Sequence, residues 1–509
     1  MTRAIVRGGM WAGLVLWCAG CASAPDTHEL AQDAVDAMGG ADALRGVQNY
    51  VMRGGTGSRS RTGQPVAAGQ PDPPAKLSNV VETLDLAGGR AALEYDLEAA
   101  SGFTQHRQEV LTSKGDKGVG LENVRDRPLA AMSPSGLFSW GTQNHPSMAL
   151  DRSIVTIALA ALDAESPEPP QERELAGRMV PFATVTVTGE TIGLYFDPDT
   201  QQIAALEATD TETMLGDVQA RYTFSDYRDV GGVMLPHATA IEKGGEHYAA
   251  VQFESAAIND AEAMRVFDIP ETAEGAVDHA IEQGADYSPV TLIKVADGLH
   301  FAQAYSHHSL VVEFPNFLAV VEAPYSEAQS LTLGKLLAAQ FPGKPIRYAI
   351  VTHPHYDHIG GVRGLAAQGA TIVAARGHES ALRAVLDAPH TNPPDVLAGR
   401  RNAGAATGGL EVFDDRRVIT DGGRSLELYA VTGSPHVEPM VLAYVPGPRV
   451  LFQSDLFFPG TGGGTSPAAE HLLQSVGALN LRVQTNAGGH GGVAPFDELV
   501  KAVGTAGGN

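Results

Sequence analysis

The sequence predicts an α+β protein built from two units, an antiparallel β-rich unit that ends near residue 285 and a mixed unit that begins near residue 290. Short strand-like runs separated by turn signals indicate the first unit. In the second unit, apolar strand-like runs alternate with helical patterns. A third observation, a histidine-rich segment from His353 to His358 directly after one of these runs, predicts a binding site at the end of a strand.

The first twenty residues have the pattern of an export signal. Two arginines precede an apolar stretch, Met10 to Trp17, that is too short to span a membrane. Ala19-Gly20-Cys21 then resembles the end of a bacterial lipobox. We therefore expect residues 1–20 to be removed and Cys21 to carry acyl chains, which would anchor a periplasmic or outer-membrane lipoprotein to its membrane.

Cleavage after Ala24 is the alternative, and it is disfavoured because Pro25 would follow the cut directly. Loss of Cys18 with the signal would leave one cysteine and therefore no intrachain disulfide. The mature chain must then be stabilised by burial, for which its 43% apolar composition is adequate.

Residues 21–285 form the predicted β-rich domain. A helical pattern from His28 to Leu44, loosened at Gly39-Gly40, and a second from Asn144 to Leu162 precede a long antiparallel meander. Gly54 to Pro74 is predicted to be a mobile loop. The predicted meander runs are Val180 to Phe196 (two strands divided at Gly189), Ile203 to Thr209, Ala220 to Tyr227, Val233 to Glu242 and Tyr248 to Ala256.

This order of helices and strands weakly resembles the half-barrel of lipoprotein-carrier domains. A curved sheet of that kind could bind lipid, dock a partner or cover a catalytic site. The role we expect is to support the second domain and shape substrate access. The polar stretch from Asp268 to Pro289, punctuated by Pro and Gly, contains the predicted boundary.

Residues 290–509 form the second predicted domain, in which strands and helices alternate. The predicted strands are Phe317 to Ala323, Arg347 to Thr352, Thr371 to Ala375, Ser425 to Val431, Met440 to Tyr444 and Val450 to Gln453. The predicted helices are Ser326 to Gln340, Gly360 to Gln368, Glu379 to Leu386 and Ser466 to Leu479. Asp387 to Thr407 is expected to be a surface insertion near the site that selects substrate.

The histidine-rich segment has the spacing of a metal site. His353 and His355 leave the end of a predicted strand two residues apart, so their side chains point to the same side and can bind one ion together. Asp357 and His358 follow where the chain turns toward a helix, and there they can face a second ion. Imidazole and carboxylate ligands without cysteine suit Zn, Fe or Mn.

Three further residues of ligand type, His436, Asp455 and His490, follow at strand ends or in Gly-rich turns. The order His-x-His-x-Asp-His, then His, Asp and His, resembles the metallo-β-lactamase-fold superfamily of hydrolases. The opening strands around Val295 and Val311 are similar as well, so the resemblance covers residues 290–509. It implies an αββα sandwich with the ligands along one edge.

The resemblance also implies which ligand binds which ion. It assigns His353, His355 and His436 to a first metal, Asp357, His358 and His490 to a second, and Asp455 to a bridge between them. Two divalent ions, zinc or alternatively iron or manganese, would then lower the pKa of a shared water and hold the resulting hydroxide for attack. Asp357 would act both as a ligand and as the catalytic residue that orients this hydroxide. Histidines outside the set are expected to be structural.

Two positions depart from the family pattern. The family commonly has Gly-His-Thr around the fourth histidine, whereas Pro435-His436-Val437-Glu438 here lacks the threonine hydroxyl and adds a carboxylate. Glu438 could orient a ligand, contact substrate or be solvated, the last being the simplest expectation. Glu322 stands where the family usually has Asp. This difference leaves the ligand set unchanged but puts in doubt the contact that the residue makes to a ligand from behind. A proton donor to the leaving group is not evident. The candidates are Tyr356, His471, His307 and His308.

Asp455 also separates branches of the superfamily, because the true β-lactamases carry Cys or Ser at that position. A bridging carboxylate is more similar to glyoxalase II, the lactonases, the alkylsulfatases and the phosphodiesterases. A formal net charge of -24, without a Lys/Arg cluster and with few aromatic residues, argues against a nucleic-acid partner. The expected substrate is therefore a small molecule.

Three functions fit the sequence. The first is an exported metal-dependent hydrolase that uses a metal-bridging hydroxide to cleave an ester, thioester, lactone, sulfate or similar bond. The second is an oxidoreductase on the same fold, similar to a mononuclear-iron persulfide dioxygenase. The third is a lipid- or partner-binding protein in which the metal site is only structural. Metal analysis and a hydrolytic screen would separate the three.

Overall fold

The computed structural model describes residues 26–60, 73–99, 104–124, 127–134, 137, 152–164, 168–187, 189–284, 286–391, 394–462 and 464–504. The predicted export signal, Cys18 and Cys21 lie outside these residues, as do residues 144–151 of the predicted second helix and 61–72 of the predicted loop. In the part of the chain that is described, no helix is long and apolar enough to cross a membrane.

The described residues of the N-terminal domain include the helices α1 (Thr27–Ala37), α2 (Ala41–Arg45) and α3 (Ile154–Asp163). A capping box begins α1, in which the Asp26 carboxylate accepts a hydrogen bond from the backbone N of Glu29 at 2.9 Å and the Glu29 carboxylate accepts one from the backbone N of Asp26 at 3.0 Å. Gly39 and Gly40, with φ of 113° and 91°, end the first helical pattern before α2. Both predicted helical regions are thus confirmed over their described residues.

Fourteen strands of the described residues form one antiparallel sheet in the order β6-β5-β4-β3-β2-β1-β13-β12-β11-β10-β9-β8-β7, with β14 paired to β1. The predicted meander is confirmed as β8 to β13. The bounds are β1 (Asn49–Arg59), β2 (Ala75–Asp85), β3 (Arg90–Glu98), β4 (Thr104–Lys114), β5 (Lys117–Val124), β6 (Ala130–Met132), β7 (Gln171–Leu175), β8 (Arg178–Val187), β9 (Glu190–Phe196), β10 (Ile203–Glu212), β11 (Gly216–Val230), β12 (Val233–Lys243), β13 (Glu246–Gln252) and β14 (Ser255–Ile258).

The prediction of a loop over Gly54 to Pro74 is wrong in its first part, because residues 54–59 belong to β1. This strand joins the two halves of the sheet by pairing with β2 on one side and with β13 on the other. Glycine is needed for the approach to β13, since a Cβ on Gly57 would lie 1.9 Å from the carbonyl oxygen of Ala250. The glycines that suggested a loop are therefore positions of close strand packing.

One apolar core joins the three helices to this sheet. Val35 and Met38 of the first helical region and Ile157 of α3 are fully buried against strand residues such as Leu194 and Leu206. Helices of the same chain therefore cover this face of the sheet, which leaves the other face available to the second domain.

The connection between the domains contains two 3-10 turns, Ala263–Phe267 and Glu271–Ala273, and the helix α4 (Glu274–Gln283). Val277 and Ala280 of α4 are buried in a cluster with Val119 and Leu121 of β5. The segment predicted as a polar boundary thus includes a helix that packs on the N-terminal sheet. The domain limits 21–285 and 290–509 stay predictions.

The C-terminal domain has two sheets between two layers of helices, which confirms the predicted αββα sandwich. The first sheet contains β15 (Val290–Ala296), β16 (Leu299–Ala304), β17 (Ser309–Glu313), β18 (Leu318–Val321), β19 (Ile346–Ile350), β20 (Thr371–Ala375) and β21 (Leu410–Phe413) in that order. The second contains β22 (Arg416–Asp421), β23 (Arg424–Val431), β24 (Met440–Val445), β25 (Val450–Gln453), β26 (Thr485–Gly488) and β27 (Val493–Pro495). The helices are α5 (Glu327–Gln340), α6 (Tyr356–Ile359), α7 (Val362–Ala367), α8 (Glu379–Asp387), α9 (Val396–Asn402), α10 (Pro467–Ala478) and α11 (Asp497–Gly504).

Three apolar clusters hold these layers together. Phe301 and Phe452 belong to the cluster between the two sheets. Leu365 of α7 belongs to the cluster under the first sheet, and Leu472 of α10 to the cluster over the second. Burial on both faces explains the continuous apolar runs of β18 and β24, and it fixes the strand ends from which the polar residues emerge.

Candidate metal centre

The seven predicted metal-binding residues lie together at one edge of the sandwich. His353 and His355 follow the end of β19, Asp357 and His358 lie in α6, and His436, Asp455 and His490 follow β23, β25 and β26. The predicted helix Gly360 to Gln368 is preceded by α6, so Asp357 and His358 are helical and not part of an irregular turn. Their side chains form two groups, and within each group one donor atom from every residue lies within 4.8 Å of the others.

The first group consists of His353, His355, His436 and Asp455. His436 Nε2 lies 2.9 Å from Asp455 Oδ2 and 3.3 Å from His353 Nε2. His355 packs edge-on against both other rings, with centroids 4.6 Å from His353 and 4.6 Å from His436. Ring nitrogens that face one another around a carboxylate are arranged as ligands around a cation.

The second group consists of Asp357, His358, His490 and His307. His490 Nε2 lies 3.3 Å from His358 Nε2, and His358 Nε2 lies 3.8 Å from Asp357 Oδ2. His307 Nε2 lies 3.3 Å from the same Asp357 oxygen. The sequence named His307 as a candidate proton donor but not as a neighbour of these three ligands.

Asp455 lies between the two groups. Its Oδ1 is 2.9 Å from His490 Nε2, while its Oδ2 is 2.9 Å from His436 Nε2 and 3.2 Å from His358 Nε2. One carboxylate thus contacts histidines of both groups, which is the position required of a bridging ligand.

Oxygen atoms behind the rings fix their orientation. Glu322 Oε2 lies 2.6 Å from His358 Nδ1, and Thr352 Oγ1 lies 3.1 Å from His353 Nδ1. Thr352 also donates a hydrogen bond to Glu322. The rings of His353 and His358 are thus held through Nδ1 and present Nε2 to the centre, as histidine ligands of metals commonly do. The contact that the sequence put in doubt is therefore present, and the Glu322 carboxylate makes it to His358.

The electrostatics of the groups suit a divalent cation. Burial, together with the neighbouring His436, lowers the pKa of His355 to about 3, and burial with His358 holds the pKa of His353 well below its usual value. Burial opposes ionisation of Asp455, but the surrounding histidines outweigh it and keep its pKa well below the usual value. Neutral imidazole and ionised carboxylate are the forms that bind metal.

His358 is the exception. Burial lowers its pKa, but the carboxylates of Asp455, Glu322 and Asp357 outweigh that effect and raise the pKa well above its usual value. Three carboxylates around one imidazole favour positive charge at this point, which a bound cation supplies. The His and Asp clusters, on this scaffold, indicate divalent metal binding.

Two of the other predicted candidates are not at the centre. Glu438 is exposed, as expected for a solvated residue. His471, in α10, does not line the cleft described below; its ring lies 3.4 Å from Ser475 Oγ. Tyr356 and His308 do line that cleft.

A cleft of about 1520 Å³ lies between the two domains, with the metal centre as its floor. His355, Asp357, His436, Asp455, His490 and His307 face it. We call its N-terminal side the cleft wall, which includes Arg59, Tyr95, Leu97, Arg107, Arg127 and Leu129. Among the described residues that line the cleft, Asp357 and Asp455 are the only carboxylates. Beyond the predicted metal ligands the cleft therefore presents arginines, uncharged polar groups and apolar groups.

The predicted insertion Asp387 to Thr407 was expected to lie near the site, and this is wrong for its described residues, none of which lines the cleft. The segment contacts the N-terminal sheet instead, where Asp217 donates its backbone N–H to the Pro389 carbonyl at 2.6 Å and accepts from the Thr391 backbone N at 2.9 Å. The described part of this segment therefore contributes to the contact between the two domains.

A buried polar network connects the wall to the floor. Arg107 donates to Glu122 at 2.7 Å, and the Tyr325 hydroxyl donates to the same carboxylate at 2.7 Å. The backbone N of Tyr325 donates to the Asp357 carbonyl at 3.2 Å, and its ring packs 5.4 Å from that of His307. The N-terminal domain thus contacts the residues behind the second group, which sequence reasoning did not predict.

Residues 304–498 match the family model of the metallo-beta-lactamase superfamily. A comparison with curated protein sequences gave no match. Similar solved structures include a metallo-beta-lactamase from Pontibacter korlensis, with 17% identity and a TM-score of 0.33, which covers 43% of this chain and 100% of that chain. A metallo-beta-lactamase from Hirschia baltica has 19% identity and a TM-score of 0.32, over 42% of this chain and 96% of that chain.

A third similar structure is the mono-zinc form of a metallo-beta-lactamase from Pseudomonas aeruginosa, with 18% identity and a TM-score of 0.31, over 44% of this chain and 99% of that chain. All three likenesses cover less than half of this chain. The family match falls on the same domain as the αββα sandwich and the two clustered groups. The family-model match over residues 304–498 shows that the C-terminal domain has the metallo-β-lactamase superfamily fold.

Proposed function

We propose that the protein is a metal-dependent hydrolase that cleaves an ester, thioester, lactone or similar bond of a small molecule. The observation that carries this proposal is the position of Asp455, whose two oxygens contact histidines of both groups. A shared carboxylate suits two divalent ions, zinc or alternatively iron or manganese. When bound, such ions supply an activated water and Lewis acidity toward a carbonyl, sulfur or phosphorus centre.

The chain's own residues would position the reaction. Asp357 is buried to 7% exposure at the floor of the cleft, where its carboxylate can orient an attacking water. His353 and His358 lie fully buried beneath the surface residues of the floor, so their rings are held rigidly. The wall excludes bulk water from one side, which strengthens electrostatic interactions at the reacting group.

The cleft lining favours a substrate with an apolar body and a negative charge. Leu129 and Phe458 offer apolar contact on opposite domains. Arg127 donates one hydrogen bond to the Tyr305 carbonyl at 2.8 Å, and burial lowers its pKa, which indicates a desolvated cation. An anionic substrate group near Arg127 would be favoured over a neutral one.

Hydrolytic screening tests this proposal directly. Metal-loaded protein is assayed against matched esters, thioesters, lactones and β-lactams, beside a His355→Ala variant. Turnover by the wild type that falls with the variant supports the hydrolase. A wild type as inert as the variant would favour a binding protein with a structural metal, and one iron per chain with oxygen-dependent activity would favour an oxidoreductase.

We also propose, from the sequence of residues 1–21, that the protein is an exported lipoprotein held at a membrane through Cys21. Labelling of cells with a fatty-acid analogue is the test. Incorporation into the wild type but not into a Cys21→Ala variant is expected, whereas equal labelling of both, or labelling of neither, contradicts the anchor.

A further inference from the structure

We propose that His307 is a fourth protein ligand in the second group, so that this group binds a divalent ion through His307, Asp357, His358 and His490. The family resemblance assigns only the last three, with the shared Asp455, to that ion. The inference rests on the proposed function only in that both use the same metal centre.

The turn between β16 and β17 carries His307 into the group. Its Nε2 lies 3.3 Å from Asp357 Oδ2, and its ring centroid lies 4.3 Å from His490 and 5.6 Å from His358. One donor atom from each of the four residues lies within 4.8 Å of those of the other three. A single ion can therefore be reached by all four side chains.

Two contacts fix the ring of His307, and a third fixes its backbone. Ser306 Oγ lies 2.6 Å from its Nδ1, and the Gln329 side-chain amide donates to its backbone carbonyl at 2.9 Å. The Tyr325 ring packs against it at 5.4 Å. With Nδ1 held by an oxygen, Nε2 is the nitrogen that faces Asp357. This repeats the arrangement at His353 and His358, whose Nδ1 atoms are held by Thr352 and Glu322.

His308 shows that burial alone does not produce this placement. The two neighbours are equally buried, at 6% and 5% exposure, and both line the cleft. His308 accepts a hydrogen bond on Nδ1 from the backbone N of Ala304 at 3.2 Å and belongs to neither ligand group. It therefore has the contacts of a structural histidine, while His307 has those of a ligand.

A fourth ligand would make the two sites unequal. With the shared Asp455, the second group would offer five protein donors and the first group four. Four donors suit tetrahedral zinc, whereas five suit ions that accept higher coordination, such as iron or manganese. We expect the second group to hold its ion more tightly and to accept these metals more readily than the first.

The test is a metal titration of the apo protein. Zn²⁺ is added in competition with a chromogenic chelator to the wild type, to His307→Gln and to the matched control His308→Gln. We expect two ions to bind the wild type and the control with the same affinities. In His307→Gln one of the two should bind at least about tenfold more weakly, since loss of even an outer partner of a ligand costs 10–100-fold.

Two ions bound by His307→Gln as tightly as by the wild type would overturn the assignment. The anomalous-difference map of a zinc-loaded wild-type crystal does not depend on any variant folding. His307 Nε2 about 2.0–2.1 Å from an ion supports the proposal, and a longer distance with no coordination contradicts it. A wild type that binds two ions but hydrolyses no substrate would remove the proposed function and leave this inference intact.

Discussion

The floor and the wall of the cleft are built in different ways. The floor is a set of histidines and aspartates whose donor atoms lie within 4.8 Å in each group, and oxygen atoms hold the rings of His353 and His358 through Nδ1. The wall is a sheet from the other domain that contributes arginines and apolar side chains to the same space. Under the proposed function, the reaction takes place at the floor and the wall selects the substrate. Changes in the two regions should therefore affect different kinetic constants.

The largest expected effect comes from the floor. His355→Ala removes a ligand of the first group, so activity should fall by more than about 100-fold and the bound metal should decrease. His471→Ala, outside the cleft, should leave both unchanged. Steady-state kinetics and metal analysis by mass spectrometry measure the two quantities. Full activity of His355→Ala would show that catalysis does not depend on the first group of the floor.

A smaller loss is expected behind the floor. Glu322→Gln keeps the size of the side chain but weakens its hold on His358, so metal affinity and kcat should fall about 10- to 100-fold. The exposed Glu438→Gln is the matched control and should behave as the wild type. Competition titration and kcat report the result. Equal behaviour of both variants would show that the ring of His358 is fixed without Glu322.

A change in the wall should alter substrate selection, measured as KM, and leave kcat nearly unchanged. Arg127→Gln should raise KM for an anionic ester about tenfold, which corresponds to the loss of one charged hydrogen bond, with kcat nearly unchanged. For a neutral ester of the same shape KM should not change. The exposed Arg265→Gln is the control. An equal rise in KM for both esters would mean that Arg127 only shapes the cleft.

The smallest expected effect is on the free energy of unfolding, and it comes from the buried contact between the wall and the floor. Burial raises the pKa of Glu122 to about 7, although Arg107 opposes this. The folded state then binds more protons than the unfolded state between about pH 4.5 and 7, so this group makes the free energy of unfolding fall as pH rises through that window. Urea unfolding should show a steeper fall of the free energy of unfolding for the wild type than for Glu122→Gln. Parallel pH curves would contradict this assignment.

The sequence predicted the floor better than the wall. The motif from His353 to His358 lies at one strand end and was recognised from its spacing. The resemblance to the family added His436, Asp455 and His490, which lie at other strand ends. His307 was missed as a neighbour because it comes from a turn that only tertiary packing brings to Asp357. Arg107 and Arg127 carried no signal, since isolated arginines gain meaning only when two domains close a cleft around them.

The same reason explains the missed strands. β8 to β13 were predicted because turn residues separate their apolar runs. The strands from β1 to β6 have mixed burial and internal glycines, and β1 in particular resembles a loop until its pairing with β13 is known. Long-range strand pairing of this kind is not encoded in local periodicity.

Metal content is the most direct test of the shared centre. The protein is stripped with a chelator, reloaded and dialysed, and the bound ions per chain are counted for the wild type and for Asp455→Ala. We expect two ions in the wild type, and weakened binding of both in the variant, because one carboxylate contacts both groups. A wild type that takes up no metal, or a variant that loses only one ion and keeps the other at full affinity, would contradict a centre bridged by Asp455.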